Sequence, residues 1–258
     1  MDKKLDTTSY LSVISIDVGL RNLALCKEIY NIGRCKSTKP PTEFYDEYGE
    51  SLPDMKRFIK DIGCIGQLIH FEKKDLGDKK CYFSGEAFFT LYQWLDDLIE
   101  KGLFNDVHTI LIEQQMKTNN ICISIMHHLH SYFLLKFKRY KFIILYQSRN
   151  KTRVLGAALT KKSKDDGNKL IKTTKYNRKV WSVKLITELL SQRKDENSLN
   201  LLKTEKKKDD ICDTVSQLLS YVVTEVFKSL KIKPVYKTLR GVRKENKIKT
   251  ATQRLLES

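Results

Sequence analysis

Two apolar, β-branched runs in this chain each end in an acid, and that pairing constrains the fold more than any other feature. Ser12-Val13-Ile14-Ser15-Ile16 leads into Asp17, and Thr109-Ile110-Leu111-Ile112 leads into Glu113. Runs of this length and composition read as buried strands, so each acid stands at a strand end. Two more acids, Asp210 and Asp213, lie at i, i+3 in Lys208-Asp209-Asp210-Ile211-Cys212-Asp213 and share one helix face. Asp209 and Asp213, at i, i+4, share a face too, so the register leaves Asp209 or Asp210 as the companion of Asp213. If the fold gathers these acids, two unit charges ~4 Å apart at an effective dielectric of ~20 repel by ~4 kcal/mol. Such a cluster persists only with protons or cations on it, and hard carboxylate oxygens suit Mg²⁺ or Mn²⁺. Two such ions can hydrolyse a phosphodiester.

The charge balance agrees with a phosphodiester. Lys and Arg number 48 against 31 Asp and Glu, a formal net charge of +17. That excess points to a polyanion, nucleic acid, rather than to an ordinary metabolic substrate. The basic stretch 148–179 concentrates it: Lys161, Lys162, Lys164, Arg178 and Lys179 are its candidate phosphate contacts, which position DNA without reading its sequence. The alternative for that stretch is a solvated loop.

Other chemistries find little support. The 6 cysteines contain no C-x-x-C pair, against a zinc ribbon or redox motif. Cys26, Cys122 and Cys212 lie in apolar contexts and read as buried thiols in a reducing compartment. His127, His128 and His130 have no partners at zinc spacing and read as surface or interface residues. Trp94 and Trp181 read as core. There is no P-loop and no Gly-x-Ser-x-Gly nucleophile. Asp17-Val18-Gly19 also fits an actin-like nucleotide kinase, but residues 108–229 hold only Gly156 and Gly167 for the phosphate turns such a fold needs. No secretory signal is visible, and no apolar stretch approaches the ~18 residues of a membrane span.

Patterning organises the chain as a strand over 10–18 paired in a hairpin with 22–30 through a turn at Gly19, where glycine permits a tight bend and close phosphate approach. Residues 31–82 read as irregular, holding one more strand and an insertion. A helix follows over 85–101, a buried strand over 108–113, a helix over 120–138 and a third central strand over 141–147. A helix over 177–192, a polar linker over 193–207 and a final helix over 208–229 complete the pattern. This is an α/β chain: a mixed β-sheet flanked by helices, one domain over 8–230 with 31–85 partly an insertion, and a basic C-terminal tail over 231–258. Gln114 and Gln115 either support Glu113 or contact DNA, and plain solvation is the expectation for Gln115.

In order and spacing, these segments resemble the RuvC-type Holliday junction resolvases of the RNase H-like superfamily. The nearest form is that of poxviruses and other large DNA viruses, with the fungal mitochondrial resolvases next. Ile16-Asp17-Val18-Gly19-Leu20-Arg21-Asn22 resembles the opening strand of that group, and Ile112-Glu113-Gln114-Gln115 its Glu strand, with Gln114 in place of the commoner Arg. Tyr176-Asn177-Arg178-Lys179 with Ser182-Val183 resembles its basic helix start, and Lys207-Lys208-Asp209-Asp210-Ile211-Cys212-Asp213-Thr214 its terminal element. The likeness covers roughly 10–30 and 108–229. It implies an RNase H-like sheet and a Mg²⁺-dependent endodeoxyribonuclease. Asp17, Glu113, Asp210 and Asp213 would hold two Mg²⁺ (or Mn²⁺), and ligatable nicks would carry 5′ phosphate and 3′ hydroxyl. It also implies a homodimer on four-way DNA, in recombination or the processing of replication intermediates. The helix at 120–138 is the expected dimer surface, unless it is buried on both sides. The implied address is a viral factory in host cytoplasm, or the mitochondrion if fungal-like. The alternatives are another RNase H-like nuclease, such as one cutting RNA–DNA hybrids, and a non-catalytic nucleic-acid-binding module.

Overall fold

The computed structural model describes residues 10–116, 118–157, 160–162, 170–226 and 228, the side chains of 160–162 and 170–172 excepted. In chain order the elements are β1 (Tyr10–Asp17), β2 (Leu23–Asn31), α1 (Ile32–Ser37), α2 (Pro53–Ile65), β3 (Gln67–Lys74) and α3 (Lys79–Ser84). There follow α4 (Glu86–Glu100), β4 (Thr109–Gln114), α5 (Asn120–Phe137), β5 (Phe142–Gln147) and α6 (Ser148–Val154). The last are β6 (Thr160–Lys162), β7 (Leu170–Lys172), α7 (Lys175–Arg193), α8 (Glu196–Thr204) and α9 (Lys208–Val226).

The main sheet has five strands in the order β3-β2-β1-β4-β5. β1, β2 and β3 form an antiparallel meander, and β4 and β5 add to β1 in parallel. The carboxyl ends of β1, β3, β4 and β5 therefore share one end of the sheet. This mixed order, closed on one face by the last helix, is the RNase H-like arrangement the resemblance implies. β6 and β7 make a separate two-stranded ribbon.

Strand alternation sorts the side chains to two cores. Leu11 and Val13 of β1 and Leu111 of β4 pack with α2, α7 and α9 on one face. Ile14, Ile16, Ile110 and Ile112 pack with α4 and α5 on the other. With period two, Asp17 and Glu113 fall on the α9 face. The register Ile16↔Ile112 then sets the two acids side by side. Gly19 turns the chain back: a Cβ there would lie 3.0 Å from the Asn22 carbonyl oxygen.

Three sequence expectations need correction. β5 is an edge strand, not a central one; its apolar run reflects helices covering both of its faces, with Tyr146 on one core and Ile143 and Leu145 on the other. Residues 31–82 do hold the expected strand, β3, but also three helices. α2 starts with Pro53 in its first turn and buries Met55, Phe58, Ile59 and Ile62, so its amphipathic signal was present beneath the prolines and glycines. The linker over 193–207 contains α8, capped where Asp195 accepts the Ser198 amide at 3.0 Å and anchored by buried Leu202.

The cysteines are free thiols. Cys26, Cys35 and Cys212 are buried, whereas Cys122, in the first turn of α5, is half-buried. Trp94 is core and donates its indole N–H to Glu72 at 2.7 Å, while Trp181 is half-buried. Among the described residues no helix is long and apolar enough to cross a membrane.

Candidate active site

Asp17 ends β1, Glu113 lies one residue before the end of β4, and α9 crosses above both. The crossing is fixed by Gln217, whose buried Nε2 donates to Ser15 Oγ at 3.1 Å and the Ile16 carbonyl at 3.4 Å. One turn earlier on the same helix, Asp213 is thereby aimed at the strand ends. Ser182 of α7 donates to Asp213 Oδ1 at 3.4 Å and holds its carboxylate.

The charge at the centre of these acids belongs to Lys151 of α6. Its Nζ lies 3.1 Å from Asp213 Oδ2 and 3.5 Å from Glu113 Oε1, with a side chain only 13 % exposed. Burial disfavours the ammonium, but Asp213, Glu113 and Asp17 around it hold its pKa above the ordinary lysine value. Asp17 and Glu113 are hydrogen-bonded to each other. Burial, then the neighbouring Glu113 charge, raises the Asp17 carboxyl well above the usual range. Glu113 stays ionised: its burial is outweighed by bonds from Asp17, Lys151 and Gln115.

Gln115 is not simply solvated, as expected from sequence. It is half-buried, and its Nε2 donates to Glu113 Oε2 at 2.8 Å. Gln114, by strand alternation, is exposed.

The remaining acids of α9 face elsewhere. Asp209 is paired with Lys179, which keeps its carboxyl low despite burial and raises the lysine in turn. Lys179, expected on the DNA surface, is thus engaged with an acid. Asp210 lies 3.8 Å from Lys73 of β3, which also pairs with Glu205. Its buried Oδ2 has no hydrogen-bond partner, and burial with the adjacent Asp209 charge raises its pKa. The structure therefore gathers Asp17, Glu113 and Asp213 around Lys151, and places Asp210 one turn away toward β3. Each acid at the start of α9 also lies at the positive end of the helix dipole. Arg178 presents a buried Nε without a partner. Lys161 and Lys162 lie on β6 with side chains outside the described residues, and Lys164 and the tail over 231–258 lie outside them altogether.

Among the described residues no three His, Cys, Asp or Glu side chains stand together as a ready metal cage. The donor set nevertheless fits a hard divalent cation. The acids are all oxygen donors, Asp17 and Glu113 stand side by side at neighbouring strand ends, and the buried Oδ2 of Asp210 has no hydrogen-bond partner. Sequence reasoning does not single out Lys151 or Lys73. Lys151 is one cation in a basic run, but its place shortly after the β5 end, whose register is Gln114↔Gln147, puts it at the acids' end of the sheet.

The fold and this centre define an RNase H-like α/β protein with a carboxylate–lysine site at the carboxyl ends of its parallel strands. The chain belongs to the family of protein 170L of Invertebrate iridescent virus 6, an uncharacterized protein. It is 30 % identical to that protein over 227 residues, 81 % of this chain and 87 % of the relative. It is also similar to uncharacterized protein 97L of Invertebrate iridescent virus 3, 28 % identical over 121 residues, 47 % of this chain and 51 % of that one. No protein-family model matches the chain. Among solved structures it is similar to the fowlpox virus resolvase in complex with Holliday junction DNA, at 16 % identity and a TM-score of 0.47, over 83 % of this chain and 98 % of that one. A second structure of the fowlpox virus Holliday junction resolvase gives 15 % identity and a TM-score of 0.42, over 83 % of this chain and 99 % of that one.

Proposed function

We propose that this protein is a structure-specific endodeoxyribonuclease that resolves four-way DNA junctions. The observation that carries this reading is the meeting of Asp17, Glu113 and Asp213 around Lys151, at the strand ends where open α/β sheets bind ligands. The ordered motifs of the sequence supply the junction as substrate, and the net charge of +17 supports a polyanion.

In this reading Asp17, Glu113, Asp210 and Asp213 would hold two Mg²⁺ ions, which would supply Lewis-acid activation of the scissile phosphate and of the attacking water. The residues of the chain do the positioning. Gln115 fixes the Glu113 carboxylate, Ser182 fixes Asp213, and Gln217 fixes the helix that carries it. Lys151 answers the Glu113 and Asp213 charges at close quarters and brings a cation within reach of a phosphate oxygen. Arg178 and the basic residues Lys161, Lys162 and Lys164 track the backbone of a DNA arm. A homodimer supplies two such sites to opposite strands of a two-fold junction, with α5 as its candidate surface: Leu134 and Leu135 are 44 % and 77 % exposed.

The test incubates the purified chain with a labelled immobile four-way junction, with Mg²⁺ or with EDTA, beside duplex and RNA–DNA hybrid. Paired symmetric nicks in the junction, dependent on Mg²⁺, are the expected result. Cleavage of the hybrid alone would move the chain to another RNase H-like activity, and binding without cleavage of any substrate would make it a binding module.

A further inference from the structure

The insertion between β2 and α4, to which sequence reading assigns no function, contains a small hairpin over 44–52. The Leu52 N–H donates to the Phe44 carbonyl at 3.0 Å, and the Asp46 N–H to the Glu50 carbonyl at 2.9 Å. The Asp46 carboxylate closes the tip, accepting the Tyr48 and Glu50 N–H groups at 2.8 and 2.9 Å. Phe44 and Tyr45 pack on the core that α2, α7 and α9 share, and Ser51 is buried. The hairpin closes the carboxyl end of α6, where a helix leaves its last carbonyls without partners of its own. Tyr45 donates its hydroxyl to the Val154 carbonyl at 2.7 Å, and Ser51 donates its hydroxyl to the Leu155 carbonyl at 3.3 Å. The Ser51 N–H donates to the Gly156 carbonyl at 3.2 Å. Two residues of the hairpin thus take three consecutive carbonyls. The fit is close: Gly156 has φ +71°, and a Cβ there would stand 1.7 Å from Ser51 Oγ.

The grip matters because of what α6 carries. Lys151 stands on it, with Nζ 3.1 Å from Asp213 and 3.5 Å from Glu113. A lysine reaches its target on a flexible aliphatic stem, so the ammonium is placed by where the helix is held. α6 has 7 residues, too few to fix a position through its own hydrogen bonds. It follows β5, an edge strand, so no further strand restrains it from the outer side. The hairpin supplies the missing restraint, and does so next to the lysine. Val154 and Leu155 lie about one turn beyond Lys151, and the Leu155 N–H donates to the Lys151 carbonyl at 3.2 Å.

Resting on the resolvase reading above for its effect on cleavage, we infer that Tyr45 and Ser51 are positioning residues: their hairpin clamps the end of α6 so that the Lys151 ammonium is delivered between Glu113 and Asp213. They act through α6. A hydroxyl lost from the clamp leaves a carbonyl without its donor, and the helix relaxes away from the point where the acids need a cation. A misplacement of about 1 Å at a reacting centre costs up to about a hundredfold in rate.

The experiment follows the Lys151 ammonium by NMR in the full chain labelled with ¹⁵N-lysine, in EDTA and cold, mildly acidic buffer. The signal is assigned by its loss in Lys151→Arg. A buried, ion-paired ammonium exchanges slowly with water, so unmodified protein is expected to give a resolved signal. Tyr45→Phe, which removes one oxygen, is expected to shift that signal and speed its exchange about tenfold, and Ser51→Ala acts in the same direction. Ser198→Ala breaks a hydroxyl–carboxylate bond of 2.6 Å on α8 and leaves the signal in place. With Mg²⁺ and saturating junction, Tyr45→Phe lowers the cleavage rate about ten- to a hundredfold, while its junction affinity in EDTA stays within about twofold. A Lys151 signal unchanged in both Tyr45→Phe and Ser51→Ala overturns the inference, whatever the protein cleaves. A signal that moves equally in Ser198→Ala reports general loosening and overturns it too, as does a Lys151 ammonium that exchanges as fast as surface lysines in unmodified protein. A signal that moves as expected in a protein that cuts no DNA supports the clamp and overturns the resolvase reading alone.

Discussion

Asp17 is held in a state its chemistry resists. Burial and the Glu113 charge raise its carboxyl well above the usual range, so the folded chain holds a proton there more tightly than the unfolded chain. Its contribution thus favours folding at low pH and is lost as pH rises through the folded value. Asp17→Asn is expected to raise the melting temperature of metal-free protein at neutral pH, to flatten that pH dependence, and to abolish junction cleavage while leaving binding. Glu113→Gln and Asp213→Asn are expected to abolish cleavage likewise; turnover in any of the three purified variants would remove that residue from the site. Lys151 has the opposite sense. Lys151→Met leaves Glu113 and Asp213 facing each other uncompensated, and is expected to destabilise metal-free protein by about 3 kcal/mol in urea melts, with partial recovery in Mg²⁺. Asp17 and Glu113 are legible in sequence because each closes an apolar run, and Asp213 because it shares a helix face with a second acid. Lys151 is not, because a cation in a basic run carries no mark of the acids it will meet. Gln115 departs from its sequence expectation for a related reason: alternation places it on the Glu113 face, but only the turn beyond β4 decides whether it reaches back.

At the scale of elements, position is transmitted to the site by buried polar clips. Arg193, at the end of α7, donates to Glu28 of β2 at 2.6 Å, with side chains 5 % and 0 % exposed, and also to the Gly63 carbonyl at 2.9 Å. Tyr30 donates to the same Glu28 at 2.7 Å. Arg193→Met is expected to cost about 3–5 kcal/mol in chemical denaturation, since it strands a buried carboxylate. Gln217→Ala is expected to cost about 1–3 kcal/mol and to slow cleavage more than it weakens binding, because it loosens the helix carrying Asp213. Neither clip is visible in sequence, because nothing local to Glu28 or Gln217 marks the distant partner that it meets in the fold. β1, β2, β4 and β5 are legible, as are α4, α5, α7 and α9, whose apolar stripes are long; the short ribbon of β6 and β7 is not, because the basic stretch around it carries no apolar alternation. The edge position of β5 is not, because an apolar run reports covered faces and says nothing of an open edge. α2 and α8 are hidden by glycine, proline and short length.

For the whole molecule, the distribution of charge matters more than its sum. The acids are gathered at one end of the sheet and answered by lysines from three elements, Lys73, Lys151 and Lys179. Other cations are paired away from the site, among them Lys27 with Asp106 and Arg193 with Glu28. Replacing Lys161, Lys162 and Lys164 with alanine is expected to lower the slope of log K against log salt for junction binding by about 2–3, near 0.9 for each phosphate no longer neutralised; an unchanged slope removes that stretch from the interface.

The order in which these parts leave the ribosome follows from the Glu28–Arg193 pair, which spans 165 residues. At about 5–20 residues per second, β2 is made roughly 10–30 s before the cation that neutralises its buried carboxylate. α9, with Asp213 and the cover for one face of the sheet, comes later still. A nascent chain therefore carries Asp17 and Glu113 for much of its synthesis without the helix that completes the centre. The acid centre is complete only when the fold closes, and a chain ending before α9 lacks both Asp213 and the cover of one face of the sheet.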